Sequence, residues 1–321
     1  MNNTIIICIL LLFVQKNNAA INPKNSSFDL KKYTVVVAVI DTGVDISHKD
    51  LEKYIWVNAG ETGKDYLGRD KATNRLDDDD NGFIDDLHGW NFVDNNNNVT
   101  DLQGHGTHIA GIITKEFKKH NTSHALRSSA RLMILKYYDS RSEDSQNILN
   151  TVNALNYAVK MKAHLINYSG GGASPYLPER LVIEKAAQKN ILLVAAAGNN
   201  NVNTDSVKYY PANYELDNII SVAAANNDGE LVSFSNYGHT SVDIAAPGKL
   251  IFSALPKNSY GLMSGTSQAT AFVTGVAASL LAKNNILKPK EILTSLLVNS
   301  KFNKSLKGKT KFQMAMVQNG M

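Results

Sequence analysis

Five short, mostly apolar runs set the tightest limit on the fold of this chain: VVVAVI (35–40), LMILKY (132–137), HLINYS (164–169), ILLVAAA (191–197) and IISVAAA (219–225). A strand with one face in water alternates apolar and polar residues, whereas a strand covered on both faces reads as a continuous apolar run. Segments 145–162 and 179–189 carry helical spacing between these runs, and the connections are short and glycine-containing. The pattern predicts an α/β protein of three layers, with a mostly parallel central sheet and helices on both faces. In such sheets ligands bind at the carboxyl ends of the strands, so the polar residues that follow the runs are the candidates for function.

With 321 residues, 43% hydrophobic and 19% charged, the chain is long enough for one large core. A formal charge of +4 arises from 33 basic and 29 acidic residues that form no basic stripe, so no nucleic-acid partner is expected. Residues 5–14, IIICILLLFV, are too few to span a bilayer and suit the core of a signal peptide. The expected organisation is a signal peptide at 1–20, an N-terminal segment at 21–34, one large globular domain at 35–300 and a surface tail at 301–321. This reading implies a secreted protein, extracellular or periplasmic, monomeric and not inserted in a membrane after signal cleavage. Its one cysteine, Cys8, would leave with the signal.

Four polar residues stand where the fold would present them. Asp41 ends the first run in VVVAVIDTGVD, although an Asp that opens a turn is also common for structural reasons. His105 lies between glycines in DLQGHGTHIAGII, where a helix begins, and the helix N-terminus disfavours the imidazolium. His108, three residues on, is assigned a structural role. Ser267 lies in SGTSQATAFVTG, at the start of a helix rich in small residues; it is either an N-cap or an accessible hydroxyl beside outward-pointing backbone N–H groups. Asn199 closes LLVAAAGN, where its amide is either a turn residue or a donor to a developing oxyanion.

Taken together and in this order, DTGVD with SHKDL, GHGTHIAG, AAAGN and SGTSQATAFVTG resemble the signature segments of the subtilisin-like proteases, from about Val35 to Leu297. The resemblance implies a subtilisin-like fold and a serine endopeptidase acting on protein or peptide substrates. On it, Ser267 is the nucleophile, His105 the general base and acid, Asp41 the residue that orients and charges the imidazole, and Asn199 an oxyanion donor. It further implies that Ser169, Gly170 and Gly171 pair with the substrate backbone. Ala196 and Gly198 would wall the primary specificity pocket, with Tyr209 as a bulky floor that favours small or medium side chains. Gln268 and Ala271 stand where the family usually has Met and Pro.

The run DDDDNGFIDDLHGW spaces Asp77, Asp79, Asn81 and Asp85 like the ligands of a calcium loop, with the Phe83 carbonyl and Asp86 as further candidates. His88 stands where an EF-hand has Glu, so a calcium loop of another kind is expected. Asp50 matches a second calcium position of the family, but its partner residues are not recognisable in 113–123. An aspartic protease needs a second DTG-type carboxylate, and an α/β-hydrolase needs Gly-x-Ser-x-Gly; neither is present. The remaining alternative is a catalytically silent, calcium-bound binding protein on the same scaffold.

Overall fold

The computed structural model describes residues 33–121, 129–141 and 143–316. The proposed signal peptide, Cys8 and most of the 21–34 segment lie outside them.

Each apolar run becomes a strand of one nine-stranded sheet. The first, β1 (Thr34–Asp41), lies between β3 (Ser129–Lys136) and β4 (Leu165–Tyr168). Beyond β3 is β2 (Gly89–Asn91), and beyond β4 come β5 (Leu192–Ala196), β6 (Ile219–Ala225) and β7 (Ile244–Pro247), all parallel. Along β1 the pleat sends Val35, Val37 and Val39 to one core and Ala38 and Ile40 to another. That division explains the unbroken apolar run: both faces are covered.

On the first face lie α1 (His105–His120), α4 (Thr266–Lys283) and α5 (Pro289–Val298); on the second lie α2 (Asp144–Lys160) and α3 (Leu177–Gln188). In α4 every residue except Leu280 and Lys283 is buried, which the run of Ala, Gly, Ser and Thr permits. A methyl on Gly275 would fall 2.6 Å from the Ile113 carbonyl oxygen, so α1 and α4 touch backbone to backbone there.

A two-stranded antiparallel ribbon, β8 (Ile251–Leu255) with β9 (Ser259–Met263), leads directly into α4. His108 Nε2 faces the Ile251 and Gly261 carbonyl oxygens at 3.0 and 3.3 Å, which ties the ribbon to α1. Burial lowers the pKa of this ring, and the role is structural, as expected.

The expectation of a surface tail after residue 300 does not hold for 301–316. Strands β10 (Lys301–Phe302) and β11 (Met314–Ala315) extend the sheet past β7, and Leu306, Thr310 and Met316 are fully buried. These elements are two residues long, too short to show a periodicity, so composition alone reads as surface. Among the described residues, no helix is long and apolar enough to cross a membrane.

Candidate active site

Asp41 is the last residue of β1, 3% exposed, and accepts a hydrogen bond from the Thr42 N–H at 2.8 Å. Its Oδ1 also meets His105 Nδ1 at 2.7 Å, which fixes the tautomer with the proton on Nδ1 and leaves Nε2 free to accept. His105 opens α1 after Gly104, whose φ of 90° turns the chain into the helix. Gly106 must lack a side chain, since a Cβ there would lie 2.0 Å from the Gly43 carbonyl oxygen and 3.1 Å from the Asp41 Cβ. The close pairing of strand end and helix start therefore depends on glycine at that position.

The sequence-based expectation that the helix N-terminus keeps His105 neutral is outweighed. Burial pushes its pKa down, but the charge and hydrogen bond of Asp41, with the charge of Asp101, push it up further, and the net shift is upward. The site stabilises the imidazolium, which is the species formed when the ring accepts a proton.

Ser267 is the second residue of α4 and 7% exposed. Its Oγ donates to the Ser169 carbonyl oxygen at 3.0 Å, not to His105. Proton transfer to Nε2 therefore requires the hydroxyl to leave Ser169, and catalytic contacts of this kind commonly tighten only when substrate is bound.

The Asn199 amide is oriented from behind. Its Oδ1 accepts from the Thr266 N–H at 2.8 Å and the Thr266 hydroxyl at 3.0 Å, so Nδ2 is turned away from them. A methyl on Gly265 would lie 3.7 Å from both Asn199 Nδ2 and Ser267 N. Two donors therefore border one small space, kept open by glycine. The same methyl would meet Gln268 Oε1 at 2.8 Å; Gln268 is buried, with Nε2 4.0 Å from Met263 Sδ. Ala271 is fully buried in the core beside α4.

Ser169, Gly170 and Gly171 follow β4, and Gly172 exchanges both backbone hydrogen bonds with Tyr210, at 2.9 and 2.7 Å. A Cβ on Gly171 would fall 2.6 Å from Tyr209 Cε1, and one on Gly198 would fall 3.2 Å from Tyr209 Cδ2. The Tyr209 ring is thus packed between Gly171, expected to pair with the substrate backbone, and Gly198, expected to wall the specificity pocket. Ala196, at the end of β5, is buried. Beneath Gly170, the Tyr137 hydroxyl occupies the space a side chain would need.

The acidic loop departs from the expected spacing. Asp77 Oδ1 and Oδ2 accept from the Asn81 and Gly82 N–H groups, and the Asp85 carboxylate accepts from the Arg75 N–H, so both hold turns. Asn81 Oδ1 accepts from the Phe83 N–H, and the Phe83 ring packs edge-on against Trp90, Phe92 and Tyr157. The carboxylates that converge are instead Glu61, Asp79 and Asp86, each with an oxygen within 4.8 Å of the others.

Glu61 is fully buried, and its Oε2 has no hydrogen-bond partner. Burial, with the charges of Asp86, Asp78 and Asp79, pushes its pKa up to about 7. Asp86 is likewise raised by burial, although it accepts from the Tyr157 hydroxyl and from the Asn58 and Asn81 amides. Nothing in the segment NAGETG marks Glu61 in the sequence; only the fold carries it to the loop.

A family profile described as Subtilase family matches residues 32–319. The chain is 34% identical over 252 residues to the thermophilic serine proteinase of Bacillus sp. (strain AK1), covering 78% of this chain and 53% of that protein. It is 34% identical over 281 residues to the cell wall-associated protease of Bacillus subtilis (strain 168), covering 87% and 27%. With the major intracellular serine protease of the same strain it shares 32% over 251 residues, covering 78% and 69%. The chain thus spans about half the length of the first of these relatives and about a quarter of the second. Among solved structures, a cold adapted subtilisin-like serine proteinase superimposes with a TM-score of 0.63 at 27% identity, covering 91% of each chain.

Proposed function

Because the chain belongs to the subtilase family, we propose that it is a secreted serine endopeptidase in which Asp41, His105, Ser267 and Asn199 carry out peptide-bond hydrolysis. The observation that supports this most is the 2.7 Å contact between His105 Nδ1 and the buried Asp41, which leaves Nε2 as a base. Ser267 Oγ attacks the scissile carbonyl carbon, and its proton passes to His105 Nε2. Negative charge develops on the carbonyl oxygen, where Asn199 Nδ2 and the Ser267 N–H donate to it. Collapse breaks the C–N bond as His105 returns the proton to the leaving amine; water then attacks the acyl-enzyme by the same route. The test is digestion of casein with sequencing of the products. Internal peptide cuts support the reading, and an undigested substrate contradicts it.

Ring packing at Tyr209 favours small residues on the acyl side of the cut, since the ring occupies the slot between Gly171 and Gly198. Tyr209→Ala is expected to raise kcat/KM for Phe relative to Ala at that position by about 10- to 100-fold. A peptide library with each residue at that position reads the ratio, and an unchanged ratio would reject Tyr209 as the determinant.

Calcium held by Glu61, Asp79 and Asp86 accounts for a fully buried carboxylate with an unpartnered oxygen among like charges. Calcium bound there would offset the like charges of the cluster and support the loop from Asn58 to Asp86. At a calcium concentration about a hundred times Kd, the metal adds about 2.7 kcal/mol, which is roughly 5–10 °C in Tm. Chelation is expected to remove that increment in the wild type and to have little effect on Glu61→Gln, as read by calorimetry.

A further inference from the structure

We infer that Asp101 is a positioning residue for the triad: its carboxylate couples the strand end bearing Asp41 to the helix start bearing His105. The inference rests on the proposed proteolytic function. Asp101 is 2% exposed, in the loop before α1, and accepts five hydrogen bonds. Oδ1 accepts from the Thr42 hydroxyl at 2.9 Å and from the Gln103 and Gly104 N–H groups at 2.9 and 2.8 Å. Oδ2 accepts from the Thr107 N–H at 2.9 Å and the Thr107 hydroxyl at 2.7 Å.

Thr42 follows Asp41 in the chain and donates its own N–H to Asp41 Oδ1, while its hydroxyl accepts from the Gly106 N–H at 2.9 Å. Thr107 lies two residues past His105, and its hydroxyl accepts from the Asp45 N–H at 3.0 Å. One carboxylate thus binds residues on both sides of the Asp41–His105 contact and satisfies N–H groups at the start of α1. Three ionisable groups bear on the imidazole. Asp41, on β1, raises its pKa, Asp101 raises it, and the charge of His105 opposes that of His108 on the same helix.

An asparagine at position 101 must turn its NH2 toward N–H donors on one side, and it removes the charge. For Asp101→Asn, kcat is expected to fall about 10- to 100-fold, as for small displacements of catalytic groups, with KM nearly unchanged. The acid limb of kcat/KM is expected to move to lower pH, because a stabiliser of the imidazolium is gone. Rates are divided by the concentration of sites titrated with a serine-directed phosphonate, so loss of folded protein does not count. Thr42→Val keeps the charge and breaks one arm; it is expected to lower kcat severalfold with the acid limb in place.

Should Asp101→Asn fail to fold, Thr42→Val alone decides, and an unchanged kcat overturns the inference. So does an Asp101→Asn enzyme with wild-type kcat and acid limb, or one altered only in Tm. If Ser267→Ala cleaves as fast as wild type, the proteolytic reading itself fails, whatever Asp101 does.

Discussion

Ser267→Ala is expected to lower the turnover of peptide substrates by about a million-fold, the loss seen when the serine of such a triad is removed. The substitution removes the one atom that bonds to the acyl group and spares the donors: Asn199 Nδ2 and the backbone N–H at 267 remain beside the space at Gly265. A residual acceleration of about 10³–10⁴ over water should therefore persist. Folding should be little affected, because the hydroxyl makes a single hydrogen bond, to the Ser169 carbonyl oxygen, with a net contribution of about 1 kcal/mol. The variant should keep the KM of the wild type, since Ser169, Gly170, Gly171 and Tyr209 are untouched. Burst and steady-state kinetics on a chromogenic peptide separate these quantities. A loss confined to KM would mean that position 267 binds substrate and performs no chemistry.

Asp41→Asn is expected to cost about 10⁴-fold in kcat. Asp41 does two things for His105: it accepts the Nδ1 proton at 2.7 Å, and its charge raises the basicity of the ring. Asparagine offers one acceptor oxygen where Thr42 N and His105 Nδ1 now share Oδ1, and no charge. The sign of the pH effect follows. Activity needs neutral His105 before proton transfer; a ring that has lost its anionic partner stays neutral to lower pH, so the acid limb of kcat/KM shifts downward. A rate profile from pH 5 to 9 shows both effects. An acid limb at its wild-type position would mean that another group governs it.

Sequence and structure agree where the local chemistry leaves a local mark. Strands covered on both faces have to be apolar without interruption, and β1, β5 and β6 were legible for that reason. Asp41, His105, Asn199 and Ser267 stand out in the sequence because each lies next to small residues, and at Gly106 the Gly43 backbone leaves no room for a methyl.

Features that depend on distant partners left no such mark. Glu61 joins Asp79 and Asp86 only through the path of a loop, so the calcium-like spacing, which named Asp79 and Asp86 together with Asp77, Asn81 and Asp85, could not include it. Asp101 stands in the motif around His105, but its link to Thr42 spans 59 positions. Tyr209 was named from its place before Tyr210 and Pro211, and only the fold shows that its ring packs between Gly171 and Gly198. Residues 301–316 read as a tail because their strands are too short to show a period, and they are part of the sheet.

The central claim is that Ser267 is the nucleophile of an endopeptidase. It is tested most directly by exposing the active protein to a serine-directed phosphonate, mapping the adduct by mass spectrometry and following casein cleavage in parallel. The account predicts one phosphonate per chain, on Ser267, with activity lost in proportion to labelling and no adduct on Ser267→Ala. Full activity with Ser267 modified, or inhibition with the adduct on another residue, would contradict it.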